Sequence, residues 1–184
     1  MKKTTKMALG GLVFLLTFGN TSAVWAAEPA TKPAVPVAMP ASIHVELKEA
    51  DGRRVEGNVR GHSLAVDQPK AYGAADTAPT PPETLAFALG ACVVSTARYL
   101  AILEKLDLRH ITAHVDGTLD YARASGVPTS ARAGYSGLKV TVAWESSLDV
   151  KTQQSLLQRV LERCPMCDNL ANPTTIELQL APQP

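Results

Sequence analysis

The sequence predicts an α+β fold built on a mostly antiparallel sheet. Three observations carry that prediction. Segments of period-two alternation lie in the first, third and last parts of the chain, two helical segments separate them, and no regular βαβ alternation links strand to strand. The order is strands, helix, strands, helix, strand.

The central element is the helix predicted over residues 80–106. Thr80 is placed to cap it, Pro81 takes the first helical position, and Glu83 follows three residues after the cap as in a capping box. Leu85, Leu89, Cys92, Thr96, Tyr99 and Leu103 then recur at steps of three and four, one face of an α-helix. From Leu85 to Ala97 there is no charge at all. A helix apolar all round is expected to be buried on most sides. Arg98 interrupts it, so its uncharged part is too short to span a bilayer. Cys92 sits in its middle.

Before that helix, residues 42–49 alternate, with Ile43, Val45 and Leu47 on one face and His44, Glu46 and Lys48 on the other, which predicts a half-buried strand. Residues 50–53 carry a hairpin turn signal, and 54–60 and 62–67 return as two short strands. Residues 68–82, rich in alanine and proline, form a loop that delivers the chain to the helix. Beyond it, residues 111–121 and 137–144 alternate around a loop at Gly126-Val127-Pro128. Residues 150–163 form a second amphipathic helix with Val150, Leu156, Leu157, Val160 and Leu161 inward. A Cys-Pro-Met-Cys segment, a short helical turn and a last strand through Ile176, Leu178 and Leu180 complete the chain.

The first 26 residues combine a lysine-rich start, an apolar run from Met7 to Phe18 and small residues up to Ala26. That pattern is a secretory signal peptide, to be set apart from the fold. The run is about half of the ~20 residues a membrane span needs, and no cysteine follows it closely enough for lipid anchoring. The chain is expected to be cut near Ala26, to be periplasmic or secreted, and to keep no stable membrane association afterwards. Residues 27–41, alanine- and proline-rich, read as an extended tether, and 42–184 as one domain. Without Lys2, Lys3 and Lys6, 15 basic residues stand against 17 acidic ones, a net charge of about −2. With no basic stripe and few aromatics, nucleic acid is excluded as a partner.

Chemistry resides in three cysteines, Cys92, Cys164 and Cys167. Export suggests a disulfide, but an odd number leaves one thiol over. Cys92, in the most apolar helix, reads equally as a small core hydrophobe. Cys164 precedes Pro165 and so caps a new short helix, where the dipole is expected to favour thiolate. Cys167 lies one turn on. CxxC serves both redox and zinc chemistry, yet no second CxxC stands at ligand spacing. His110 and His114 fall on a strand pattern, separated by roughly 13 Å of strand rise. Neither a metal nor a cofactor is expected.

Pro81-Pro82-Glu83-Thr84-Leu85, then Gly90-Ala91-Cys92 in an apolar helix, then a second amphipathic helix ending in Cys164-Pro165-Met166-Cys167, resembles the OsmC/Ohr family, the osmotically inducible and organic hydroperoxide resistance proteins. The resemblance covers about residues 43–181, closest to the broader OsmC-like branch. It implies an intertwined homodimer in which antiparallel sheets wrap buried central helices, with active sites at the subunit interface. It also implies a thiol-dependent peroxidase acting on organic hydroperoxides. Cys92 would be the peroxidatic thiolate, Cys164 the resolving thiol, and an external dithiol the reductant. Leu85, Phe87, Leu89 and Trp144 would supply apolar contacts.

In the family an arginine held by a glutamate activates the thiol. Glu83 matches that glutamate, in competition with its plain role in the capping box. The loop 68–82 holds only Lys70, so Arg60 is the arginine assigned, with Arg53 and Arg54 as further candidates. Cys167 departs from the family motif and makes a Cys164–Cys167 exchange pair conceivable. The alternative function is an OsmC-fold envelope protein without catalysis, acting in ligand binding or in thiol–disulfide exchange through Cys164 and Cys167.

Overall fold

A computed structural model describes residues 39–182. The expected signal peptide and residues 27–38 of the expected tether lie outside the described residues. Three strands open the fold: β1 (Glu46–Glu49), β2 (Val55–Val59) and β3 (His62–Val66), paired antiparallel in that order. Glu49 faces Val55, and Val59 faces His62. The β2–β3 turn has two residues, Arg60 and Gly61, with φ of 53° and 85°. Two left-handed residues in succession are what a tight hairpin needs to match the strand twist. The Gly61 amide donates to Asn58 Oδ1 at 2.8 Å and closes it.

One expectation fails at this sheet. The alternation of Ile43, Val45 and Leu47 predicts a half-buried strand, yet β1 starts only at Glu46 and Leu47 remains 68% exposed. Among the described residues no helix covers the three strands, so a face patterned for burial stands open there.

The connection to the central helix is tied down by Asp67, whose side chain is buried. Its carboxylate accepts the Gln68 amide at 2.8 Å and both the Thr77 amide and hydroxyl at 2.9 Å. Its own amide donates to the Pro79 carbonyl at 3.1 Å. The Thr77 amide, then that of Gln68, hold this carboxyl below the usual carboxylate range. A depressed folded value means the bonds stabilise the fold above the ordinary carboxylate pKa and are lost as pH falls through the lowered one. Asp67→Asn is therefore expected to melt at a lower temperature than the parent at neutral pH. The gap should shrink towards about pH 3, as thermal melts across that range will show. A gap independent of pH would contradict the assignment.

Helix α1 (Pro81–Leu103) begins as its sequence signals. Glu83 Oε2 accepts the Thr80 amide at 2.7 Å, and the Glu83 amide donates to Thr80 Oγ1 at 3.4 Å. Its buried row is Leu89, Val93, Ala97, Leu100 and Ala101, displaced by about one residue from the predicted Leu85–Leu89–Cys92–Thr96–Tyr99–Leu103 row. Tyr99 and Leu103 are exposed, as are Phe87 at 75% and Ile102. By length and composition α1 could cross a membrane, but it packs on a sheet and two helices and is the core helix of this domain.

That sheet is β4 (Arg109–Thr118) with β5 (Gly137–Glu145), antiparallel, Arg109 facing Glu145 and Thr118 facing Gly137. Gly90 admits β4 to the helix, since a Cβ there would stand 3.0 Å from Val115 Cγ2. Helix α2 (Val150–Arg163) is capped by Asp149, and Trp144 Nε1 donates to Gln153 Oε1 at 2.9 Å. It buries Leu156 and Val160; Val150, Leu157 and Leu161, expected inward, are exposed. Helix α3 (Pro165–Ala171) follows at once. The core unites the buried row of α1 with Leu108, Leu156, Val160 and Cys164. The last predicted strand does not form: residues 172–182 hold no strand, and Leu178 is 93% exposed. A strand needs a free edge to pair with, and within this chain the segment meets none.

Candidate functional site

The middle of α1 and the junction of α2 with α3 bring the cysteines together. Cys164 closes α2 and caps α3 in an extended conformation. Its sulfur accepts the Cys167 amide at 3.3 Å, and Pro165 fills the first helical position, as the sequence predicts. The side chain is 1% exposed, a member of the core. Cys92 and Cys167 are half-buried and pack against it, together with Met166. All three are free thiols. Cys164 and Cys92 influence each other's titration, and the Cys167 thiol influences that of Cys164.

The start of α3 supplies a donor to each of two sulfurs. The first amides of any helix have no intrahelical acceptor. Here the Met166 amide faces Cys92 and the Cys167 amide faces Cys164. Thr96, one turn beyond Cys92, adds a hydroxyl. These donors lower the thiol pKa, but burial is the larger effect and pushes Cys92 up. Burial also pushes Cys164 up, and the Cys167 thiol adds to the rise. This corrects the expectation that capping a helix would favour thiolate at Cys164: at this buried sulfur, desolvation outweighs the dipole of a helix two turns long.

The other predicted site residues lie apart from the thiols. Glu83 is nine residues before Cys92, which is two and a half turns, roughly 13 Å along the axis and on the opposite side of the helix. Its carboxylate serves Thr80, at 2.7 Å to the amide and 2.9 Å to the hydroxyl, and these bonds hold it below the usual range. Arg60 is exposed at the tip of the β2–β3 hairpin. Arg53 lies in the β1–β2 turn; Arg54 is held by Glu56 at 3.1 Å and Thr77 at 2.8 Å. Burial, rather than a neighbouring cation, is the largest influence on the Cys92 thiol. His110 and His114 both lie on β4, His110 at an irregularity with φ of 47°. Of the four apolar residues expected around Cys92, Leu89 belongs to the core cluster that Cys92 packs on and Trp144 packs against the same cluster. Leu85 and Leu89 line a cavity of about 460 Å³ beside Cys167, Phe87 lines another on the Glu83 side, and Trp144 bonds Gln153.

Met166 and Thr96 were not singled out from the sequence. Thr96 was legible as the residue four after Cys92 on a helix, and the Met166 amide as the second of a helix that Cys164 caps. What the arrangement can do follows from contact between reduced thiols: oxidation of either Cys92 or Cys164 leaves the other placed to form a disulfide.

An α+β domain with a buried thiol pair, one cysteine on a central helix and one at a helix junction, defines a class of thiol proteins. Residues 73–179 match the model of the OsmC-like protein family, and the chain belongs to that family. Solved structures share the fold. An OsmC-like protein from Mycoplasma pneumoniae superposes with a TM-score of 0.64 at 17% identity, over 73% of this chain and 91% of that one. An organic hydroperoxide resistance protein from Elizabethkingia anophelis gives 0.53 at 18%, over 74% and 93%. Another from Legionella pneumophila gives 0.50 at 19%, over 72% and 91%. No curated protein matches in sequence.

Proposed function

We propose that the protein is an exported, thiol-dependent peroxidase that reduces organic hydroperoxides to alcohols. One observation carries the reading: Cys92, 72 residues before Cys164 in sequence, packs against the core cluster to which Cys164 belongs. The Cys92 thiolate attacks the terminal peroxide oxygen, the O–O bond breaks, and the alcohol leaves with the proton. The sulfenic acid on Cys92 then condenses with Cys164, releasing water and forming the disulfide. An external dithiol restores both thiols. No metal or cofactor enters these steps.

A raised thiol is a poor nucleophile at neutral pH, so a cation has to reach Cys92. The source proposed is the subunit interface of a homodimer, where a partner's hairpin arginine, Arg60 by preference, meets Cys92. Three features support the dimer: the uncovered face of the β1–β3 sheet, the open stripe of α1 at Phe87, Tyr99 and Ile102, and the unpaired apolar tail at Ile176, Leu178 and Leu180. The alternative, a non-catalytic module in ligand binding or thiol exchange, is favoured by one fact, the burial that keeps Cys92 protonated in a single chain.

Peroxide consumption with dithiothreitol separates the two. Cumene hydroperoxide is expected to react at least about tenfold faster than hydrogen peroxide, the worth of burying one or two CH₂ groups beside Cys92. Consumption no faster than with dithiothreitol alone would leave only the exchange or binding role.

A further inference from the structure

The peroxidase cycle has to end with an external dithiol reaching a disulfide, and the sulfur of Cys164 is sealed in the core at 1% exposure. Cys167 differs. It is half-buried, and it lines two cavities of about 460 and 380 Å³ between β5 and the helices, bordered by Leu138, Val140 and Leu161. Cys92 and Cys167 both pack against the core cluster to which Cys164 belongs. Cys164 and Cys167 are also the cap and third residue of α3, held by the 3.3 Å bond from the Cys167 amide to the Cys164 sulfur. One helical turn at a cap keeps two Cα atoms within the roughly 4.4–6.8 Å that a disulfide spans.

We propose that Cys167 is a relay thiol that moves the oxidation from the buried Cys92–Cys164 disulfide to a Cys164–Cys167 disulfide, the form the external dithiol reduces. The Cys167 thiolate attacks the Cys164 sulfur. The bond from Cys164 to Cys92 breaks, its electron pair leaves on Cys92, and Cys92 takes up the proton that Cys167 released. One disulfide is exchanged for another, with no net oxidation or reduction. The step rests on the peroxidase reading for the origin of the first disulfide. It has a consequence of its own: Cys92 is a free thiol again before any reductant arrives.

The test uses the chain without residues 1–26, reduced and then freed of reductant. One portion receives stepwise equivalents of cumene hydroperoxide and another receives diamide. Samples are acid-quenched at intervals, alkylated and mapped as peptides. The Cys92–Cys164 disulfide is expected first, giving way to Cys164–Cys167 with Cys92 alkylated. The parent should then take up two equivalents of peroxide, the second leaving a sulfenic acid on Cys92 that dimedone traps, against one for Cys167→Ser. A Cys92–Cys164 disulfide that persists in the parent, with equal uptake by the variant, would overturn the relay. Should peroxide leave Cys92 untouched, the peroxidase reading fails and the diamide portion decides. There, Cys164–Cys167 growing at the expense of Cys92–Cys164 supports the relay, and its absence overturns it.

Discussion

Cys92→Ser is expected to abolish hydroperoxide turnover, and Cys164→Ser to allow a single oxidation per chain before activity dies. A hydroxyl cannot replace a thiolate as the acceptor of peroxide oxygen, so the Cys92 variant should lose about four orders of magnitude or more, down to the uncatalysed rate. Without Cys164 the sulfenic acid lacks the resolving thiol assigned to it. Further peroxide then drives Cys92 to the sulfinic form, which dithiothreitol does not reverse. Both variants should fold. Serine is among the best helix caps, so Ser at 164 still receives the Cys167 amide, and Cys92 is half-buried rather than sealed. Stopped-flow peroxide consumption with intact-mass analysis reads both outcomes. Full turnover in Cys92→Ser, or many turnovers without over-oxidation in Cys164→Ser, would contradict the roles assigned.

The protein is expected to sediment as a dimer, and Phe87→Asp with Ile102→Asp to separate it into inactive monomers. The stripe of α1 that carries Phe87, Tyr99 and Ile102 is open in the single chain, although α1 is the most apolar helix of the domain. Two carboxylates buried against a second copy would meet apolar surface without partners, and each would oppose association strongly. Both positions are exposed on one chain, so its own core is spared. Separation should act on chemistry through the thiol. In the dimer, a partner's guanidinium is expected to bring the Cys92 pKa below that of an ordinary cysteine. In the monomer burial is the largest influence and holds it above. Each unit upward costs about tenfold in thiolate at neutral pH, so peroxidase rate should fall about a hundredfold or more. The pH midpoint of Cys92 alkylation should rise in parallel. A variant that is monomeric yet keeps the parental rate and midpoint would place activation within one chain.

The sequence was most legible where local rules decide structure. Thr80, Pro81 and Glu83 announced the start of α1, and Pro165 after Cys164 announced the start of α3; both caps form as their residue types dictate. The two short strands expected over 54–60 and 62–67 form as β2 and β3. Legibility fell where burial depends on what lies opposite. Leu47, Phe87 and Leu178 carry apolar patterns that nothing among the described residues covers. Alternation reports that a face is made for burial, not which chain buries it. The row of α1 was misplaced by one residue because a helix without charges offers no polar face to set its phase. At Cys164 a rule about helix starts met a rule about burial, and only the depth of the site, invisible in the sequence, decides between them.

The most direct test of the account is peptide mapping of Cys167→Ser after one equivalent of cumene hydroperoxide, since no relay can follow in that variant. The account predicts a disulfide between Cys92 and Cys164 within each chain. A Cys92 that remains a free thiol while the peroxide persists would contradict it.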